Sequence, residues 1–228
     1  MDNPLSMRTM GERVFAQIKQ WIISGELAPG EKVDQDAIAE RLQVSKMPVR
    51  SALEKLAAQD FVQLHSHRGA TVNDLSAEHL TEIYFVRCLL EEAAVKLAAA
   101  SLSAADAQKL DGMIAEQERL AGVDMETMLA ANRKFHMFIY ELAGQPVMLG
   151  IIQRLWEQSE RYRRILLGDR HMVDGSIQEH RQLVELMKSG SPEEAGRFLV
   201  EHNRKTESFV MQYIKQTQWR DRYEVESV

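Results

Sequence analysis

The stretch from Asp34 to Arg50 constrains the fold more than any other. It reads as a short helix, a tight turn and the start of a second helix. Asp34 or Asp36 caps the first helix, and Ile38 and Leu42 give it an apolar stripe. Ser45 is placed to cap the second, its side-chain oxygen accepting one of the orphan N–H groups at the helix start. Pro48 falls in the first turn, where a missing N–H costs no helical hydrogen bond. Val49, Ala52, Leu53 and Leu56 then recur at i, i+3, i+4 and i+7, one buried helical face. Lys46 and Arg50 lie near the start of that helix, away from the apolar side. Cations there suit entry into a DNA major groove.

The flanking segments extend the pattern. Val14, Ile18, Trp21 and Ile22 mark an earlier amphipathic helix, and Leu27-Ala28-Pro29-Gly30 is a turn. Phe61 to His65 and Ala70 to Val72 alternate about Ser66-His67-Arg68-Gly69, which predicts a β-hairpin. Three helices and a hairpin make a winged helix, with Arg68 at the hairpin tip within reach of a phosphate or a minor groove.

Residues 7–73 resemble the DNA-binding domain of the GntR superfamily of bacterial transcription regulators. The resemblance rests on Leu27-x-Pro29-Gly30, on Ile38-Ala39-x-x-Leu42-x-Val44-Ser45-x-x-Pro48-Val49-Arg50-x-Ala52-Leu53-x-x-Leu56, and on Arg68-Gly69-Ala70-x-Val72. It implies a DNA-binding set of Ser45, Lys46, Met47, Pro48 and Arg50, with Arg68 and Gly69 at the wing. Arginine is usual in the family where Lys46 stands. Lysine is a point charge and lacks the fork that reads guanine, so position 46 is expected to contact phosphate.

Composition restricts the remaining choices. No apolar run approaches the ~18 residues needed to cross a bilayer, and Met1 to Met7 has none of the features of a signal peptide. Cys88 is the sole cysteine, so no internal disulfide can form. These features predict a soluble cytoplasmic protein. The net charge is −6, yet residues 1–72 carry nine basic and nine acidic residues. A neutral reading head must hold phosphate by local clustering.

From Asp74 onward the pattern is helical throughout. Six helices are expected, over about 76–100, from Ser103, over about 125–143, 146–167, 175–188 and 191–218. Ser103 with Asp106 forms a capping box. Ser191-Pro192-Glu193-Glu194 supplies a cap, a proline in the first turn and an acid. The fold class is therefore mainly α: an N-terminal winged helix-turn-helix over 7–73, an antiparallel bundle of about six helices over 74–218, and a polar tail over 219–228 expected to fray.

Polar residues interrupt the bundle's apolar stripes. Asn132 and His136 fall beside Leu129, Phe135, Ile139 and Ala143; His180 beside Ile177, Val184 and Met187; His202 beside Ala195, Phe198, Leu199 and Phe209. Buried polar groups cost free energy unless each finds a partner. One metal ion would satisfy all four, while separate hydrogen bonds within the core would serve each singly. Arg87 interrupts the stripe of Leu80, Ile83, Tyr84, Leu90, Ala94, Leu97 and Ala98, with Glu91 one turn on. Arg87 either pairs with Glu91 or clamps a ligand carboxylate. Arg161, Arg163 and Arg164 are weaker candidates, because Tyr162 and its neighbours read as a half-solvated face.

Residues 76–215 resemble the all-helical ligand-binding domain, called FCD, of the FadR branch of the same superfamily. The motif carrying this is Asn132-Arg133-Lys134-Phe135-His136, then Glu179-His180, then His202, with Arg87-x-x-x-Glu91 in the first long helix. The resemblance implies a divalent transition metal, zinc or nickel, on Asn132, His136, His180 and His202, with Arg87 and Glu91 at the effector. Aspartate is usual where Asn132 stands. A neutral amide leaves the metal's charge of about +2 uncompensated, which favours an anionic ligand.

The expected function is a bacterial repressor that binds a pseudo-palindromic operator as a homodimer and responds to a small carboxylate. Two alternatives are a metal-free regulator sensing an acyl or other apolar ligand, and a histidine-site metalloenzyme. Against the enzyme, no inward carboxylate stands at a base position beside the histidines, and Glu179 lies off the stripe.

Overall fold

A computed structural model describes residues 9–65, 69–121, 125–163 and 170–223. The chain forms two compact units, residues 1–75 and 76–228.

In the first unit, α1 (Met10–Ser24), α2 (Gln35–Arg41) and α3 (Lys46–Ala57) pack beside a small antiparallel sheet of β1 (Lys32–Val33), β2 (Val62–His65) and β3 (Gly69–Val72). Thr9 and Glu12 close a capping box at the start of α1. Asp34 caps α2, its carboxylate accepting from the amides of Asp36 and Ala37. Ser45 is the N-cap of α3 in backbone terms, but its side chain makes no capping hydrogen bond. The expected hydroxyl cap is therefore absent, and the Ser45 hydroxyl is exposed. The turn between α2 and α3 needs a left-handed residue, and Gln43 adopts it at φ 53°. Val14, Ile18, Trp21, Val49, Leu53, Leu56, Phe61 and Val72 fill the core. Each such side chain contributes roughly 1.5–3 kcal/mol when fully buried.

The predicted hairpin is present, with Val62 opposite Val72 and Leu64 opposite Ala70. It carries a third strand that sequence reading missed. β1 lies on the other side of β3, with Lys32 opposite Thr71 and Val33 opposite Ala70. Two residues are too few to show an alternation, so only the buried Val33 marks that strand. The wing tip, with Arg68, lies outside the described residues.

The second unit is helical: α4 (Ala77–Ala100), α5 (Ala104–Leu120), α6 (Met125–Leu142), α7 (Pro146–Arg163), α8 (Arg170–Lys188) and α9 (Pro192–Tyr223). α4 is central, running along α9 and touching α6, α7 and α8. Ser76 and Ser103 cap α4 and α5 through their hydroxyls. α8 begins at Arg170, ahead of the expected Gly175, because no strong stop precedes that glycine. α9 continues to Tyr223, so the segment expected to fray from Trp219 is helical over its first residues. Leu97, placed on the buried stripe of α4, is 44% exposed. The reverse holds on α7, where Arg161 and Tyr162, read as a half-solvated face, are buried.

Candidate metal centre and DNA-reading surface

α6, α8 and α9 each bring one buried histidine to a common point. His136, His180 and His202 offer ligand atoms that all lie within 4.8 Å of one another. Nε2 of His136 and Nε2 of His180 are 3.1 Å apart. Two nitrogens on one zinc ion, each at about 2.0–2.1 Å, are separated by roughly 3.0–3.4 Å.

The outer nitrogens are each engaged. Nδ1 of His180 faces Oε1 of Gln117 at 2.8 Å. An amide oxygen only accepts, so Nδ1 carries the proton and Nε2 the lone pair. The Tyr140 hydroxyl donates to Glu91 at 2.6 Å, which leaves its oxygen to accept from Nδ1 of His136 at 3.4 Å. Nδ1 of His202 donates to Glu179 at 2.7 Å. Outer hydrogen bonds of this kind fix ring orientation and tautomer around a metal. Burial holds His136 and His180 well below the ordinary histidine pKa, and the neighbouring imidazoles add to the effect. Two neutral nitrogens with lone pairs 3.1 Å apart repel. A cation bound to both turns that repulsion into attraction, so the residues present fit a divalent metal.

Asn132 is buried on α6, and its Nδ2 finds no acceptor. It lines a cavity of about 500 Å³ together with His202, Glu179 and Arg163. Glu179, read as off the stripe, is half-buried and joins His202 to Lys205, which donates at 2.5 Å. Burial raises the Glu179 pKa, but the hydrogen bonds from His202 and Lys205 outweigh it and hold the carboxylate below its usual range.

Arg87 and Glu91 meet each other, and neither lines that cavity. Arg87 Nε donates to Glu91 at 2.7 Å and its NH1 group to Ser159 at 3.0 Å. Glu91 also accepts from Trp156 at 2.7 Å, Asn203 at 2.8 Å and the Tyr140 hydroxyl. Of the two roles open to Arg87, the geometry has the internal pair. Burial alone would lower the Arg87 pKa, and Glu91 reverses the shift. Tyr140, Trp156, Asn203 and Gln117 escaped sequence reading. Gln117 carried a signal, since it continues the α5 stripe of Leu110, Met113 and Ile114 as its one polar member.

In the first unit, Lys46, Met47 and Arg50 stand exposed at the start of α3, with Pro48 half-buried beneath them. Met47 is 79% exposed, unusual for a large apolar side chain. Lys46 pairs with Asp36 at 2.8 Å and Arg50 with Glu54 at 3.3 Å. Gly69 opens β3 at φ 89°, a conformation that favours glycine.

A winged helix-turn-helix unit joined to a helical unit with a buried histidine cluster is the architecture of a DNA-binding regulator. The family comparisons agree. A model described as "Bacterial regulatory proteins, gntR family" matches residues 10–72, and one described as "FCD domain" matches residues 82–205. The chain belongs to the GntR-family transcription regulators with an FCD domain, and is a DNA-binding regulator, not an enzyme. Among its relatives, the HTH-type transcriptional regulator McbR of Escherichia coli K12 is 31% identical over 145 residues, 63% of this chain and 66% of the relative. The Nta operon transcriptional regulator of Aminobacter aminovorans is 24% identical over 85% of this chain and 90% of its own. A probable D-xylose utilization operon transcriptional repressor of Paenarthrobacter nicotinovorans is 27% identical over 86% and 88%. The solved structure of E. coli McbR/YncC superimposes with a TM-score of 0.79 at 25% identity, covering 91% of this chain and all of that one. No helix among the described residues is long and apolar enough to cross a membrane.

Proposed function

We propose that this regulator is a repressor that binds its operator as a homodimer and is controlled by a small organic anion held beside a divalent metal in the helical unit. The observation that carries the reading is the histidine cluster: three inward imidazoles with their outer nitrogens tied to Tyr140, Gln117 and Glu179, of which His202 lies with Asn132 on the wall of a cavity. His136, His180 and His202 would hold the ion, and Asn132 would add its amide oxygen. Zinc or nickel suits three imidazoles. When bound, the metal supplies a positive charge that attracts an anionic ligand.

Lys46 and Arg50 would contact phosphate or base edges, with Ser45, Met47 and Pro48 at the same helix start and Arg68 and Gly69 at the wing. A pseudo-palindromic operator follows from two-fold pairing of reading heads. The effector alters operator affinity only as far as it distinguishes two states of the dimer, typically by ~1–3 kcal/mol. Repression is supported by the D-xylose operon relative, which is described as a probable repressor.

A metal-free bundle is the second reading, favoured by one observation. Nε2 of Gln117 is buried without a partner. Turning that amide would let it donate to His180, which could then donate to His136. Metal analysis of protein purified without chelator separates the two. Near-stoichiometric zinc or nickel is expected, lost in His136→Ala and His180→Ala. Occupancy that survives both substitutions, or no metal uptake by the intact protein, ends the metal reading.

A further inference from the structure

The start of α3 carries an apolar side chain that nothing in its own unit accounts for. Met47 is 79% exposed. Among the described residues it belongs neither to the core of the first unit nor to the partly buried apolar side chains that border it. It precedes the buried Val49 by two positions on a helix of about 3.6 residues per turn, which puts it opposite the packed stripe of Val49, Ala52, Leu53 and Leu56. The exposed residues of α3 are Lys46, Met47, Arg50, Ser51, Glu54 and Lys55, so Met47 is the one apolar member of the outward face. A large apolar side chain left in water forgoes the gain that burial would give. This one stands in the first turn of the second helix of a helix-turn-helix, where such helices present side chains to base edges in the major groove.

Its neighbours are of another kind. Lys46 is held by Asp36 at 2.8 Å and Arg50 by Glu54 at 3.3 Å. Both offer charge, which phosphate takes up whatever the sequence. Met47 offers none. Its thioether is a weak acceptor and it carries no donor, so it cannot pair with the amino, keto or ring-nitrogen groups that line the groove. Against a G·C pair its methylenes and methyl would cover those groups and leave them unpaired, with a desolvation penalty. One group in the major groove is apolar, the C5 methyl of thymine. Methionine suits that contact, being unbranched, polarizable and able to adjust its torsions to the exact position of the methyl.

Resting on the DNA-reading role proposed above for the start of α3, we infer that Met47 is a specificity-determining residue that packs on the C5 methyl of one thymine in each operator half-site. Lys46 secures phosphate, and Met47 selects the base. Removing one methyl from a buried apolar contact corresponds to about a fourfold loss of affinity. Loss in both half-sites of a two-fold operator multiplies to roughly sixteenfold.

The test begins with selection of binding sites from a random duplex pool on the full-length protein. Each thymine of the selected inverted repeat is then replaced, in both half-sites together, by deoxyuridine, which keeps the base pair and removes only the methyl. Binding is read by fluorescence anisotropy at one salt concentration. At one thymine position the replacement is expected to weaken binding by about ten- to twentyfold. In Met47→Ala that penalty disappears, and selection with this variant no longer favours thymine there. Met47→Leu, apolar and of similar size, keeps the penalty. Met47 is exposed, so helical circular dichroism should be unchanged in both variants. The slope of log affinity against log salt also stays the same, because no phosphate contact is lost. The inference is overturned if no thymine responds to loss of its methyl, or if the penalty persists in Met47→Ala. A selected repeat without a methyl-dependent thymine removes this inference alone. A pool in which no repeat is enriched removes the operator reading beneath it as well.

Discussion

At the scale of single residues, Glu91 is the most heavily used side chain in the helical unit. It accepts from Arg87, Tyr140, Trp156 and Asn203, side chains drawn from α4, α6, α7 and α9. Removing one partner of a buried ion pair leaves an uncompensated charge, typically at about 3–5 kcal/mol. Glu91→Ala is therefore expected to destabilise the protein by that amount in urea unfolding, whereas the apolar pair Arg87→Met with Glu91→Leu costs less. Asn132 is the other informative residue. Asn132→Asp adds a negative charge beside three imidazoles and should raise zinc affinity at least tenfold in competition with a chromogenic chelator, while weakening anionic effectors. Unchanged zinc affinity would mean that Asn132 is not a ligand. The i, i+4 spacing of Arg87 and Glu91 made their pairing readable from sequence. Arg163 was harder to read, because a cation near a helix end next to Tyr162 follows the same pattern as a solvated face. Its significance comes from the cavity that α6, α8 and α9 build with it.

At the scale of elements, sequence patterns gave existence and type more securely than boundaries. Repeated apolar spacing located all three helices of the reading head and all six of the bundle, since burying one face is what those helices are for. The caps Asp34 and Ser103 were legible because each side chain satisfies amides at its own helix start. β1 was illegible, as its two residues are held by pairing with β3, far along the chain. The histidines could be assigned to stripes but not to one another, because convergence depends on how three helices pack. The reading helix α3 has its own electrostatic arrangement: its two leading cations rest on Asp36 and Glu54. If Lys46 and Arg50 hold phosphate as proposed, DNA has to displace these acids. Exposed pairs are weak, about 0–1 kcal/mol each, so displacement is easy but measurable. Fluorescence anisotropy on operator DNA across a salt series should show Lys46→Ala and Arg50→Ala each weakening binding. The slope of log affinity against log salt should shrink by about 1 for each phosphate that is no longer neutralised. Asp36→Asn should tighten binding. A slope unchanged in both alanine variants would place the phosphate-binding cations elsewhere.

At the scale of the whole molecule, a formally neutral reading head cannot rely on a long-range field to find and hold DNA. The chain's −6 charge is carried by the residues after 72, so in the proposed dimer affinity would come from joining two heads. Linking two binding events raises overall affinity through effective concentration, without any new interaction. The helical unit offers a surface suited to that joining. On α4, Phe85 is 66% exposed and Leu89 56%, with Val86 beside them. Large apolar side chains adjacent on one helix face, exposed among the described residues, are the usual mark of a partner surface. A second copy of this chain is the partner that the proposed two-fold operator would require. Phe85→Glu with Leu89→Glu is expected to convert a dimer to a monomer in light scattering. Because these side chains are exposed and lie outside the histidine cluster, zinc content and helical circular dichroism should not change. Operator affinity should fall by at least tenfold, while binding to a single half-site is retained. A double variant that stays dimeric and binds the full operator normally would place the joining surface elsewhere.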